Sequence, residues 1–188
     1  MAKYTYKLNV AGLTRELPLC ELNKDTMIAA FVIFGDAKLT TACATELLKR
    51  APEFDYMIAP EAKAIPLIHE MARQSEQDKY MLVRKVPKFY MDGVFSVDDK
   101  SITTAGTQKL YMDGADAKLL NGKRVLIIDD VVSTGGSLAA VEALVNQAGG
   151  NIVGKMTILA EGKAAERDDV TFLEKLPVFD SEGKPLAD

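Results

Sequence analysis

The chain reads as an α/β fold with a mainly parallel sheet. Three observations carry that reading. From residue 54 onward, apolar β-rich runs alternate with helix-forming stretches. The apolar run 125–130 ends in two adjacent carboxylates. The helix that follows is entered through a turn rich in hydroxyls and glycine, Ser133-Thr134-Gly135-Gly136-Ser137.

Taken in order, the first twenty residues alternate Tyr4, Tyr6, Leu8 and Val10 and then reach Ala11-Gly12, which predicts a hairpin. Residues 28–33 form a β-rich apolar run, and 40–50 reads as a helix. Strands are expected over 54–59 and 80–86, with a helix over 65–73 between them. The strand 125–130 is followed by a helix over 138–148, whose apolar stripe is Leu138, Val141, Leu144, Val145 and Ala148. Gly149-Gly150 stops that helix, and 152–160 returns as a strand. The stretch 87–108 holds Pro87, Gly93, Gly106 and a Ser101-Ile102-Thr103-Thr104 patch without durable periodicity. A connection of that length is functional or disordered, and it is expected to act as a mobile loop over a site.

At 188 residues the chain is long enough for one well-buried domain and too short for two ordinary ones. A core of about 28–162 is expected, with a small hood subdomain built from the two termini, 1–27 and 163–188. The net charge of −4 argues against nucleic-acid binding, which needs a basic footprint, so any anionic ligand must be held by local donors. No segment has the apolar length of a membrane span, and the Met1-Ala2-Lys3 start lacks a signal peptide's apolar core. Cys20 and Cys43, without metal-like spacing, suggest core or near-core thiols in a reducing cytoplasm. His69, the single histidine, lies in a helical pattern beside Ile65 and Ile68; without a second histidine it anchors no His-based metal site.

Residues 125–137 carry the chemistry. A strand, a turn and a helix N-terminus form an anion site, because backbone N–H groups and the positive end of the helix dipole converge there. Gly135 and Gly136 let the backbone approach a phosphate closely, and Ser133, Thr134 and Ser137 add hydroxyl donors. Asp129 and Asp130 would repel that phosphate, so they need another task; a sugar diol suits them, since an ionised carboxylate accepts two hydroxyl hydrogen bonds. The plainer alternative is a solvated Asp-Asp turn ahead of a helix cap. Neither a G-x-x-x-x-G-K-[ST] run nor a G-x-G-x-x-G after a strand is present. Two further basic clusters fall at strand ends: Lys63 in the turn Pro60-Glu61-Ala62-Lys63-Ala64, and Arg84-Lys85 with Lys88.

The stretch 125–137 resembles the phosphoribosyl-diphosphate (PRPP) motif of the type I phosphoribosyltransferases, in which an apolar strand, two acidic residues and a Thr-Gly-Gly turn follow one another. The resemblance covers roughly 28–162 and is closest to the purine branch, the adenine and hypoxanthine types. It is supported by Glu61-Ala62-Lys63-Ala64-Ile65-Pro66-Leu67, Val83-Arg84-Lys85 and Lys109-Leu110-Tyr111-Met112-Asp113-Gly114. Two departures stand out. The family's first loop often has Arg or Gly where this chain has Lys63 and Ala64, and the Glu-Tyr pair of many adenine-type mobile loops falls nearest to Thr104 and Ala105.

The resemblance implies transfer of 5-phosphoribose from PRPP to a purine base, either adenine or a 6-oxopurine such as hypoxanthine. Asp129 and Asp130 would hold the ribose hydroxyls and face the developing oxocarbenium charge. Lys63, Arg84 and Lys85 would neutralise the departing pyrophosphate, with Glu61, Ala62 and Lys88 beside them. Ser133, Thr134, Gly135, Gly136 and Ser137 would bind the 5-phosphate, Val131 would pack on the base, and Glu161 would sit at its edge. Mg²⁺ would enter through PRPP rather than a protein cage, and a cytoplasmic homodimer is implied. Two alternatives stay open at this point: a non-catalytic sensor of PRPP or nucleotide, and a phosphoribosyltransferase for a pyrimidine base.

Overall fold

The computed structural model describes residues 4–99 and 108–186. At its centre lies a five-stranded sheet made of β4 (Tyr56–Pro60), β5 (Met81–Val83), β8 (Arg124–Val132), β9 (Asn151–Glu161) and β10 (Thr171–Leu176), in the order β10-β9-β8-β4-β5. Every neighbouring pair in it is parallel. The continuous apolar run Val125-Leu126-Ile127-Ile128 has this cause: β8 is central and buried on both faces.

Side chains alternate across the pleat, so Leu126 and Ile128 pack with α1 (Ala37–Leu48) and α2 (Ile65–Gln74), while Val125 and Ile127 pack with α3 (Gly114–Leu120) and α4 (Gly136–Gln147). A second sheet, antiparallel, joins the two ends of the chain. Its strands β1 (Thr5–Val10), β2 (Leu13–Glu21), β3 (Thr26–Ala29) and β11 (Val178–Asp180) run in the order β1-β2-β3-β11. In the predicted hairpin Val10 faces Leu13, and the two turn residues Ala11 and Gly12 have φ of 51° and 73°, the double positive φ that a tight turn matched to strand twist requires.

Helix ends follow their local chemistry. Asp36 caps α1 by accepting the Leu39 amide at 3.0 Å. After α4, Gly149 (φ 77°) donates to the Asn146 carbonyl and Gly150 donates to Val145, both at 3.0 Å, which closes the paired-bond stop expected of Gly149-Gly150.

Four features differ from the sequence reading. The run 28–33 is strand only to Ala29, and that strand lies in the antiparallel sheet; Ala30 donates to Pro18 and Phe31 to Ala29, which turns the chain away. Phe31 and Ile33 are nevertheless buried, so their apolar character reflects an unpaired strap over the core. The strand expected over 80–86 stops at Val83, because Arg84 pairs instead with Tyr111 through two backbone bonds of 2.8 Å. The stretch 87–108 contains β6 (Phe95–Asp99), paired antiparallel with β7 (Gln108–Met112); Phe95 and Val97 pack against the core, which gives this part a reason to be ordered. Finally, β10 lies in the parallel sheet, beyond the expected core limit at 162, because it pairs with β9 and its Leu176 is buried. The patch 101–104 and the positions Thr104 and Ala105 lie outside the described residues.

Candidate active site

The strand order creates a switch point. From β4 the chain crosses through α2 to β5 on one side, and from β8 it crosses through α4 to β9 on the other, so the carboxyl ends of β4 and β8 open a crevice between diverging connections. Open α/β sheets bind ligands at such a place. The segments singled out in the sequence all gather at this edge: 61–64 after β4, 84–88 after β5, 129–137 at the end of β8 and beyond, and Glu161 at the end of β9.

Lys63 and Asp130 meet across the crevice, with Nζ 2.8 Å from Oδ2. Lys63 is about half exposed, whereas the Asp130 side chain is only 5% exposed. Its Oδ2 is buried and accepts no aligned hydrogen bond, so the lysine is a charge neighbour off the bonding direction. Asp129 is half-buried, and its Oδ1 accepts the Asp130 amide at 2.8 Å. Burial first and the Asp130 carboxylate second push the Asp129 carboxyl well above the usual carboxylate range, against the pull of that amide and of Lys63. Two carboxylates side by side with one cation make an electronegative, proton-avid pocket, suited to hydroxyl groups or to an oxygen-seeking cation.

On the β5 side, Glu61 organises the basic strand end. It accepts from Arg84 Nη1 at 3.1 Å and from the Lys85 amide at 2.6 Å, while its own amide donates to Val83. Burial works to raise the Glu61 carboxyl, but the Lys85 amide and the Arg84 guanidinium outweigh it and hold it below the ordinary value. Glu61, expected from the sequence beside the substrate, thus holds Arg84 and the Lys85 amide at the edge of the crevice. Lys85 and Lys88 are exposed at the mouth. The Glu61–Ala62 peptide is cis, Ala62 is exposed, and Ala64 is buried under the turn.

Beyond β8 the chain passes Ser133 and Thr134, both exposed, and enters α4 through Gly135 at φ 78°, a conformation that favours glycine. The first bond of the helix runs from the Ala139 amide to the Gly135 carbonyl, so the amides of Gly136 and Leu138 have no acceptor within α4. Val131 is half-buried and Glu161 is half-buried at the end of β9, one residue past the Val132–Ala160 pair.

One residue at this edge escaped sequence reading. Arg167, after the short 3₁₀ turn Gly162–Glu166, sets its guanidinium against Gly135; a Cβ there would meet Nη1 at 2.5 Å. Its only sequence signal is the run Glu166-Arg167-Asp168-Asp169, which obeys no motif spacing.

A parallel sheet thus carries paired carboxylates and a glycine-led helix entry at its switch point, the architecture of an α/β ligand-binding crevice. Residues 39–184 match the phosphoribosyl transferase domain, most of the chain, and the protein belongs to that family of enzymes. The relatives it matches include purine phosphoribosyltransferases. The hypoxanthine/guanine phosphoribosyltransferase of Methanococcus voltae is 30% identical over 73% of this chain and 73% of its own length. The adenine phosphoribosyltransferase of Kosmotoga olearia is 30% identical over 66% of this chain and 69% of its own. The crystal structure of the adenine phosphoribosyltransferase from Thermoanaerobacter pseudethanolicus superposes with a TM-score of 0.64 at 26% identity, covering 76% of this chain and 84% of that one. Among the described residues no helix is long and apolar enough to cross a membrane.

Proposed function

We propose that the chain transfers 5-phosphoribose from PRPP to a purine base, adenine or a 6-oxopurine such as hypoxanthine, and releases pyrophosphate with a nucleoside 5-monophosphate. The observation that supports this most is the order of groups along one crevice: a cation at Lys63, the carboxylates Asp129 and Asp130, then the glycine turn at the head of α4. PRPP presents its groups in the same order, pyrophosphate, ribose diol and 5-phosphate.

In this reading Asp129 and Asp130 accept hydrogen bonds from the ribose hydroxyls and oppose the positive charge that builds on the ribose as the C1–pyrophosphate bond breaks. Lys63 turns from Asp130 toward the leaving pyrophosphate, joined by Arg84, Lys85 and Lys88 from the β5 side. Ser133, Thr134, Ser137 and the amides of Gly135 and Gly136 hold the 5-phosphate. Val131 packs on the base and Glu161 lies at its edge. The exposed stretch 87–90, with Phe89 and Tyr90 facing solvent, opens the loop 87–108 that is expected to close and exclude water.

The residues fit Mg²⁺ that enters with PRPP and is held mainly by its phosphate oxygens, since the adjacent carboxylates Asp129 and Asp130 favour a nearby cation without forming a protein cage. When bound, the ion would neutralise pyrophosphate charge as a Lewis acid. A homodimer in the cytoplasm completes the proposal, on the strength of the resemblance to the type I family.

Pyrophosphate release from PRPP and Mg²⁺, measured in parallel with adenine, hypoxanthine, guanine, xanthine, uracil and orotate, tests it. Release with one or two purines supports the proposal and identifies the acceptor. PRPP binding with silence from all six would instead assign a ligand sensor, and release with uracil or orotate a pyrimidine enzyme.

A further inference from the structure

The turn that is read as the 5-phosphate cradle contains no cation of its own. Between Val131 and Ser137 there are only hydroxyls, amides and apolar side chains, and the two residues ahead of it are acidic. A phosphate monoester carries between one and two negative charges near neutrality, so in this turn it would face Asp129 and Asp130 with only helix-end amides to balance it.

Arg167 supplies what the turn lacks. Its Nε donates to Asp169 Oδ1 at 2.9 Å and its Nη2 to Asp169 Oδ2 at 2.8 Å, a two-point clamp that fixes the plane of the guanidinium. Asp169 is itself braced by Lys155 on β9, which also pairs with Glu142 of α4 at 3.2 Å. The network thus ties the 167–169 loop to the strand and the helix that flank the cradle. The clamp uses one edge of the guanidinium and leaves Nη1, which donates to no protein acceptor among the described residues. That nitrogen is the atom set against Gly135, the residue through which the chain enters α4. A Cβ at position 135 would occupy its place, so the glycine serves the arginine as well as the turn.

We propose that Arg167 is the cationic arm of the 5-phosphate cradle, donating from Nη1 to the phosphate monoester, with Asp169 and Lys155 as its positioning residues. This rests on the reading of 131–137 as a phosphate cradle. A bidentate partner on the far edge makes the arm rigid, so little side-chain entropy is lost when phosphate binds. The contact is made in ground and transition state alike, which ties it to PRPP affinity and not to the chemical step.

The test compares the parent with Arg167→Gln, Arg167→Lys, Asp169→Asn and Gly135→Val, using AMP, IMP and GMP by calorimetry and the KM for PRPP by pyrophosphate release. Arg167→Gln is expected to weaken the best-bound monophosphate and raise the PRPP KM by roughly 10- to 100-fold, with kcat and the KM for the base nearly unchanged. Arg167→Lys restores part of the loss, and Asp169→Asn loses affinity by a smaller factor; a merely structural arginine would shift melting temperature and kcat and show no such split. If Gly135→Val abolishes monophosphate binding while Arg167→Gln leaves it at the parent value, the cradle stands and the role of Arg167 is overturned. If the parent binds neither PRPP nor any of the three monophosphates, the cradle reading falls and the proposal falls with it.

Discussion

Lys63 Nζ stands 2.8 Å from Oδ2 of Asp130, although the two residues lie on different strands' ends and 67 positions apart (130 − 63). The contact spans the gap that opens where the crossovers of β4 and β8 diverge. A half-exposed cation thereby covers a carboxylate that is almost wholly buried.

This pairing makes stability and turnover respond in opposite directions. Asp130→Asn removes one of two adjacent charges from a buried site, so the melting temperature is expected to hold or rise while kcat falls about 100-fold or more. Lys63→Met leaves the carboxylate without its cation and is expected to cost about 1–3 kcal/mol in urea unfolding. The double variant should regain most of that loss. A purely additive double-mutant cycle would contradict the coupling.

Asp129 is expected to give stability a pH dependence of its own. Its carboxyl is raised in the folded protein by burial and by Asp130, so the folded state holds this proton after the unfolded chain has released it. The favourable contribution is complete below the ordinary value of 3.8 and is lost as pH rises through the raised folded value. Asp129→Asn removes that dependence. In thermal melts the variant should gain on the parent steadily from pH 4 upward, and a constant difference across the series would refute the assignment.

Gly114 anchors the arm that leads into β6. Its amide donates to the Asp92 carbonyl at 2.9 Å, and a Cβ at this position would meet that oxygen at 2.5 Å and the Gly93 oxygen at 2.7 Å. Both obstacles are backbone, so no side chain can swing aside. Gly114→Ala should destabilise by about 1–3 kcal/mol through overpacking. Hydrogen exchange should quicken in residues 92–97 before the β8–β9 ladder responds; uniform loss of protection would rule out a local anchor.

Arg15 and Asp36 join the antiparallel sheet to the core. The guanidinium of Arg15 on β2 grips both carboxylate oxygens of Asp36, which also caps α1. The Arg15 side-chain hydrogen bond, ahead of burial and the Leu39 amide, leaves the Asp36 carboxyl below its ordinary value. Asp36→Ala loses cap and strut together, about 1–2 kcal/mol by chemical denaturation, whereas Arg15→Met loses only the strut. Equal losses from the two variants would show that the cap contributes nothing.

Much of this architecture was legible in local pattern. Periodicity and glycine placement located β4, α2, β8, α4 and β9 to within a few residues, because each buries its apolar face in a way that its own sequence period records. The hairpin β1–β2 was legible for the same reason, with Ala11-Gly12 as its turn. The short strands β3, β5 and β11 were not, since their bounds depend on which neighbour completes the ladder. Arg84 illustrates this: it continues an apolar run, yet pairs with Tyr111 because β7 arrives there.

The site divides along the same line. Asp129, Asp130 and the turn through Ser137 are contiguous, so a strand end, two acids and a helix start announce their own chemistry within thirteen residues (137 − 125 + 1). Lys63, Arg84 and Lys85 were marked by their positions at strand ends. That Lys63 would face Asp130, and that Glu61 would hold Arg84, followed only from the strand order. Arg167 carried no motif, only a place in the charged run 166–169. It reaches Gly135 because β10 pairs with β9 and bends the preceding loop back over the head of α4, where the Asp169–Lys155 clamp fixes it. Local sequence determined most of the strands and helices and the glycine-rich turn between β8 and α4, since those depend on steric and burial periods within a few residues. Tertiary structure alone decided which charges meet, since electrostatic partners are chosen by distance in space and not by distance along the chain.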